Sequence, residues 1–264
     1  MEKQLQQISV ENLQWKPGDQ ESSILNDINL HLKAGEFYGI LGPNGAGKTS
    51  FARQLLRLRH ATGGNIYLDD LSISDYKRKE LARQIAFLPQ NLNTDADFTV
   101  YEIVAMGRES HKKPFSSLSS EDHKRIEEAM QYTNCEKMAD KSILCLSGGE
   151  RQRVMIARTI VQDTPWIILD EPVSNLDVRH QVELMRVLEQ LRLEKKKTIV
   201  AILHDLNLAS VFCTRIVLMQ EGTVRFEGKR EEVLTKENLK QVYGMEFDLL
   251  EQPNGFPYIV PKYR

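Results

Sequence analysis

The chain has 264 residues, 41% of them hydrophobic and 27% charged, with a formal net charge of −2, an ordinary globular composition with enough apolar material for a sizeable core. That balance excludes the strongly basic surface of a nucleic-acid domain, and no apolar run approaches the ~20 residues of a membrane-spanning helix. Residues 1–10 alternate polar and apolar types and lack the apolar stretch of a secretory signal, so the cell interior is the expected compartment.

In chain order, Ile8, Val10 and Leu13 alternate with polar neighbours, and Ile28, Leu30 and Leu32 do so again, which predicts two strands around a polar turn at residues 16–23. Phe37 to Leu41 is a short apolar run of the kind that makes a buried parallel strand, and it ends at Gly42. Ser50 to Arg59 is expected as a helix, with Phe51, Leu55, Leu56 and Leu58 as its apolar stripe. Ile85 to Leu88 predicts another strand, stopped by Pro89.

From Thr99 to Asp140 the pattern turns helical. Val100, Ile103 and Val104 share a face, and a second helix starts behind Ser120 as N-cap, with Glu121 and Asp122 in its first turn. This segment reads as a helical insertion into an α/β domain. The alternation of strands and helices then returns: strand Trp166 to Leu169, helix Val178 to Leu193, strand Thr198 to Leu203, helix Leu206 to Phe212, strands near Ile216 to Met219 and Thr223 to Phe226, and helices near Arg230 to Leu234 and Lys236 to Tyr243. Lys195, Lys196 and Lys197 follow a helical run, where cations complement the negative helix end, and read as that rather than as a basic patch. After Phe247 little pattern is expected. No internal repeat is present.

Gly42-Pro43-Asn44-Gly45-Ala46-Gly47-Lys48-Thr49 fits G-x-x-x-x-G-K-S/T, between a predicted strand and a predicted helix that includes Ser50. The glycines let successive backbone N–H groups approach phosphates; Lys48 supplies a point charge to the β- and γ-phosphates, and Thr49 a hydroxyl to Mg²⁺. The apolar strand Ile167-Ile168-Leu169 ends in Asp170 and Glu171. Beside a P-loop, the first is placed to hold Mg²⁺ and the second to accept a proton from an attacking water. Leu146-Ser147-Gly148-Gly149-Glu150 precedes a helical run, with Ser147 a natural N-cap and bare amides at Gly148 and Gly149. The stretch reads as a second anion site, one with no obvious internal use in a chain that has a single P-loop, or equally as a simple capped helix. Cys135, Cys145 and Cys213 read as buried small hydrophobes, and His31, His60, His111, His123 and His180 have no ligand-like spacing.

Leu146 to Glu150 resembles the signature motif of ABC-transporter ATPase subunits, and the other family motifs fall in order around it. Gln90 resembles the Q-loop, Ser174-Asn175-Leu176-Asp177 the D-loop, and His204 the switch histidine. The resemblance implies a P-loop NTPase core with N-terminal antiparallel strands and an inserted α-helical subdomain. It divides the single ABC ATPase domain, residues 1–264, into core and β subdomain at about 1–98 and 160–246, helical subdomain with signature at about 99–159, and a tail at 247–264. It also implies a head-to-tail dimer in which ATP held by one P-loop meets Ser147, Gly148 and Gly149 of a second copy. In that dimer Gln90 senses Mg²⁺ and water, His204 contacts the γ-phosphate, and Asp177 links the two sites.

Two positions depart from the family pattern. Trp15 is the nearest candidate for the aromatic residue that stacks on adenine, and it is equally readable as a packed strand residue. Glu150 stands where Gln is commoner, a change expected to be tolerated because Ser147 and backbone amides make the anion contact.

Phe98 to Arg108 and Ile202 to Ala209 resemble importers of siderophores, haem and cobalamin. That implies two membrane permease subunits, an extracytoplasmic binding protein, and residence on the cytoplasmic face of the membrane. Ferric siderophore is the first expectation for cargo, ahead of haem, cobalamin or a metal ion. A soluble ABC protein acting on nucleic acid would carry two ATPase halves or long coiled-coil insertions, and a non-catalytic scaffold would have lost Lys48, Asp170, Glu171 or His204.

Overall fold

The computed structural model describes residues 6–18, 22–90, 96–113, 116–174, 176–253 and 255–262. Its packing groups into two units, Met1–Tyr76 with Thr198–Arg264, and Lys77–Lys197.

The first unit opens with β1 (Gln7–Trp15) and β2 (Leu25–Lys33), which bury their alternating apolar residues and pair antiparallel with Val10 opposite Leu30. A one-residue slip would send every one of those side chains to solvent, so the register is firmly set. β3 (Phe37–Leu41) is buried at all five positions, as a strand covered on both faces must be. α1 (Lys48–Leu55) starts inside the glycine loop, two residues before the expected Ser50, and stops four residues before the expected Arg59. Arg57 takes a left-handed φ of 51°, its N–H bonds the Gln54 carbonyl and the Leu58 N–H returns to Arg53. This helix stop corrects the expected stripe: Phe51 and Leu55 are buried, whereas Leu58 is 57% exposed. β4 (Gly63–Leu68) and β5 (Leu71–Ser72) complete a sheet of order β2-β1-β4-β5. They are not read from the sequence because β4 opens on two glycines and buries only Ile66 and Leu68.

In the second unit α2 (Arg78–Gln84), with Leu81 as its one buried residue, leads into β6 (Ile85–Leu88). α3 (Val100–Ala105) is capped by Thr99 and buries Val100, Ile103 and Val104 as predicted. α4 (Ser120–Tyr132) takes Ser119 rather than Ser120 as its N-cap. The Asp122 carboxylate accepts both the Ser119 N–H (3.0 Å) and its hydroxyl (2.6 Å), a reciprocal cap that decides the boundary. α5 (Gly148–Val161), β7 (Trp166–Asp170) and α6 (Val178–Lys195) follow, β7 running parallel to β6. Buried Arg108 holds Asp122 at 2.7 Å and the Val161 carbonyl at 2.9 Å, joining the chain after α3 to α4 and α5. Lys196 terminates α6 in a left-handed conformation and Lys197 pairs with Asp163 at 2.7 Å, so the lysine run is a helix end.

The first unit then resumes with β8 (Thr198–Ile202), α7 (Leu206–Phe212), β9 (Arg215–Gln220), β10 (Thr223–Lys229), α8 (Arg230–Val233) and α9 (Lys236–Tyr243). β3 lies between β8 and β9, parallel to both, and β10 pairs antiparallel with β9. The tail, expected to carry little pattern, forms a hairpin of β11 (Phe247–Leu250) and β12 (Tyr258–Pro261). Its strands are four residues each, with Leu250 and Tyr258 exposed, too short and too mixed for an alternation to stand out. Cys135 and Cys213 are buried as expected, but Cys145 is exposed. Among the described residues no helix is long and apolar enough to cross a membrane.

Candidate functional site

In the first unit the site residues gather at the C-terminal ends of parallel strands. Ile40 of β3 lies beside Ile202 of β8, so Gly42 and His204 leave the sheet on the same edge, the edge where open α/β sheets bind ligands. Gly42 has φ 144°, and a Cβ there would stand 2.0 Å from the Met219 carbonyl oxygen. The chain passes so close to β9 that only glycine fits. Gly47, N-cap of α1 with φ 94°, is similarly hemmed by Leu25 and the Ile24 carbonyl. Between them Asn44 and Gly45 are exposed, the Ala46 N–H closes on Pro43 (3.2 Å), and Ala46 accepts from Gly222 (3.1 Å). Lys48, only 6% exposed, donates its ammonium to the carbonyls of Gly42 (2.7 Å) and Pro43 (3.0 Å). The loop is thus closed around its own lysine. Thr49 and Ser50 sit half-buried in the first turn of α1.

Exposed His204 follows β8, and Asp205 caps α7 by accepting the N–H groups of Asn207 (2.7 Å) and Leu208 (3.1 Å). Trp15, half-buried at the end of β1, pairs with Leu25, whose side chain abuts Gly47. Tyr243 is missed by sequence reasoning. Burial pushes its hydroxyl up to about 12, and the backbone of Gly42, facing it, works against that shift. A lone tyrosine at a helix end carries no signal that it reaches a loop two hundred residues earlier.

In the second unit Leu88 of β6 lies beside Leu169 of β7, so Gln90 and Asp170-Glu171 also emerge at one edge. Asp170 is 1% exposed. Glu171 takes a left-handed φ of 53°, and its Oε2 accepts the Gln90 side-chain amide at 2.7 Å. Two predicted site residues are therefore already in contact. The Glu171 carbonyl takes the Ser174 hydroxyl (3.1 Å), which folds the chain sharply after the strand.

Ser147 caps α5 as predicted, and Gly148 and Gly149 form its first turn. Glu150 closes a reciprocal cap with Ser147. Its Oε2 accepts the Ser147 N–H (2.9 Å) and hydroxyl (2.7 Å), and these contacts hold its carboxyl below the usual range. The carboxylate thus engages the Ser147 hydroxyl, one of the donors assigned to an incoming anion. Asp177 caps α6, accepting the His180 N–H (3.0 Å) and Nδ1 (2.7 Å), the His180 amide first in lowering its pKa. Leu176 lies 3.5 Å from where a Cβ on Gly149 would be, so the predicted D-loop and signature meet within this unit. Asn175 lies outside the described residues.

For a divalent cation, the chemistry of the predicted donors is a threonine hydroxyl, a glutamine amide and a buried carboxylate. These are hard oxygen ligands that suit Mg²⁺, which keeps waters and shares phosphate oxygens instead of demanding an all-protein cage. Among the described residues no cluster of three or more His, Cys, Asp or Glu is placed to hold a metal.

Comparison with known proteins gives a consistent answer. Residues 25–174 match the family model described as ABC transporter. The ferric enterobactin transport ATP-binding protein FepC of Escherichia coli K12 is 38% identical over 240 residues, 90% of this chain and 89% of that protein. The hemin import ATP-binding protein HmuV of Escherichia coli O157:H7 is 38% identical over 260 residues, 96% and 98% of the two chains. Among solved structures, an ABC transporter in an inward-facing conformation superposes with TM-score 0.84 at 28% identity over 98% of both chains. The dimeric ADP- and phosphate-bound cassette MJ0796 gives TM-score 0.75 at 31% identity, over 84% of this chain and 98% of that one.

Proposed function

The chain belongs to the ABC transporter family, and from that premise we propose that it is the ATP-hydrolysing subunit of an importer that takes up an iron complex, a ferric siderophore first. The observation that carries the reading is the glycine loop: Gly42 and Gly47 at positive φ, with a buried ammonium held between them by two carbonyls. Such a loop presents backbone N–H groups to an anion, and Lys48 exchanges its carbonyl partners for β- and γ-phosphate oxygens.

Each remaining residue then has a task. Gly42 to Ser50 bind the triphosphate. Thr49, Asp170 and Gln90 would hold Mg²⁺, which when bound neutralises phosphate charge. Glu171 orients the attacking water and accepts its proton, a role worth roughly 10²–10⁴-fold, and Gln90 releases it when nucleotide enters. His204 contacts the γ-phosphate. Trp15 stacks on adenine. Ser147, Gly148 and Gly149 of a second copy close the triphosphate from the far side, Glu150 giving up its hold on Ser147, and Asp177 lies at the junction of the two copies. In this reading the chain sits on the cytoplasmic face of the membrane, docked on two permease subunits that an extracytoplasmic binding protein supplies.

The cargo rests on relatives: FepC is named for ferric enterobactin and HmuV for hemin. The fuller coverage of HmuV keeps haem as the second reading. The test is purification of the complex from membranes with its binding protein. Hydrophobic subunits should co-purify, and turnover should rise with binding protein loaded with ferric siderophore. Stimulation by the haem-loaded form alone selects haem, and a chain recovered free of membrane subunits refutes the transporter role.

A further inference from the structure

The C-terminal hairpin grips α7 at both ends. At its start, one side-chain amide does the work: Asn207 Nδ2 donates to the Ile259 carbonyl (3.2 Å), and its Oδ1 accepts the Ile259 N–H (2.7 Å). Both backbone polar groups of Ile259 in β12 are thereby read by one residue. One turn on, the Ser210 hydroxyl donates to the Pro257 carbonyl (3.0 Å). At the far end Arg230 donates to the carbonyls of Ser210, Val211 and Cys213, while its guanidinium lies 4.1 Å from the centre of the Phe256 ring.

His204 stands three residues before Asn207. On its strand side the backbone is fixed, because the Leu203 N–H bonds the Ile40 carbonyl at 3.1 Å. On its helix side come the Asp205 cap and the first turn of α7, which the Asn207–Ile259 pair ties to β12. The hairpin is also held through β11. Phe247 packs edge-on against Tyr243 with ring centres 5.8 Å apart, and Asp248 pairs with Lys236 at 3.1 Å. An amide bonded to both polar groups of one tail residue fixes the orientation of the first turn of α7 against β12.

We propose that Asn207 is a positioning residue for His204, through which the C-terminal hairpin sets the rate of ATP hydrolysis. The proposal rests on the reading that His204 contacts the γ-phosphate during turnover. A contact group displaced by a fraction of an ångström loses rate while ground-state binding survives.

The test is a double-mutant cycle on the full-length chain, measuring kcat, KM and equilibrium ATP affinity. Asn207→Ala is expected to lower kcat roughly 10- to 100-fold, with ATP affinity nearly unchanged in a chain that still folds, and to add little to the rate loss in a His204→Ala background. Asn207→Asp, which keeps the acceptor for the Ile259 N–H and loses the donor, is expected to fall between and serves if the alanine variant folds poorly. The positioning role is overturned by Asn207→Ala or Asn207→Asp at full kcat beside a slow His204→Ala, or by equal slowing in both backgrounds. Normal turnover in His204→Ala overturns the histidine's own role and the proposal with it.

Discussion

Replacing Glu171 by Gln removes a charge and a proton acceptor while leaving shape intact, which makes it a clean probe of the chemistry. Glu171 Oε2 accepts the Gln90 amide at 2.7 Å, and a Gln side chain can turn its carbonyl oxygen to the same donor. The left-handed φ of 53° costs any ordinary L residue about 1–2 kcal/mol, equally for Glu and Gln. Folding stability should therefore hardly move, and the melting temperature should stay within a degree or two of the parent. The loss falls on the chemical step. A general base worth roughly 10²–10⁴-fold corresponds to about 3–5 kcal/mol of transition-state stabilisation, at 1.36 kcal/mol per decade. Phosphate release under saturating Mg·ATP should drop by that factor, while ATP affinity is kept and light scattering detects an ATP-stabilised dimer. Normal turnover in a folded Glu171→Gln chain refutes Glu171 as the base.

Other substitutions separate binding, partnership and stability. Lys48→Ala removes an ammonium that bonds two loop carbonyls and is assigned to the phosphates. With charged hydrogen bonds worth about 1.5–3 kcal/mol, ATP affinity should fall at least tenfold, and an unchanged calorimetric titration would remove Lys48 from the phosphate site. Ser147→Arg should abolish turnover yet spare ATP binding by the single chain; full activity would contradict the shared site. Asp122→Asn should destabilise the protein by about 3 kcal/mol near pH 7, because Arg108 is left buried without its anion. The Ser119 hydroxyl first, then the Ser119 N–H and Arg108, hold the Asp122 carboxyl well below the usual carboxylate range against burial. A depressed pKa contributes stability above the unfolded value near 4 and loses it as pH falls through the folded value. The gap between variant and parent in urea melts should accordingly be full at pH 7 and shrink below about pH 4; a gap independent of pH would count against the ion pair.

Much of the molecule is legible in one dimension because its chemistry is local. Gly42 to Thr49, Asp170-Glu171 and Ser147 to Glu150 are contiguous stretches whose backbone needs, such as tight φ at glycine or a cap three residues ahead of its acceptor, are written in neighbouring residues. The same holds for β3, β7 and β8, buried at every position and apolar nearly throughout. The end of α1 is not legible in the sequence because Leu58 continues a helical stripe that the left-handed Arg57 cuts off. β4 and the tail hairpin escaped because few of their residues are buried.

The amino-acid order by itself determined the motif residues proposed for the triphosphate and the strand-and-helix order that carries them. Tertiary structure alone decided what those residues touch without it: Gln90 on Glu171 across 81 positions, and Asn207 on Ile259 across 52. A pattern along the chain reports the period of one element and its burial. A pair brought together by the packing of two elements leaves no mark in either, since each partner is an ordinary polar residue until the fold supplies the other.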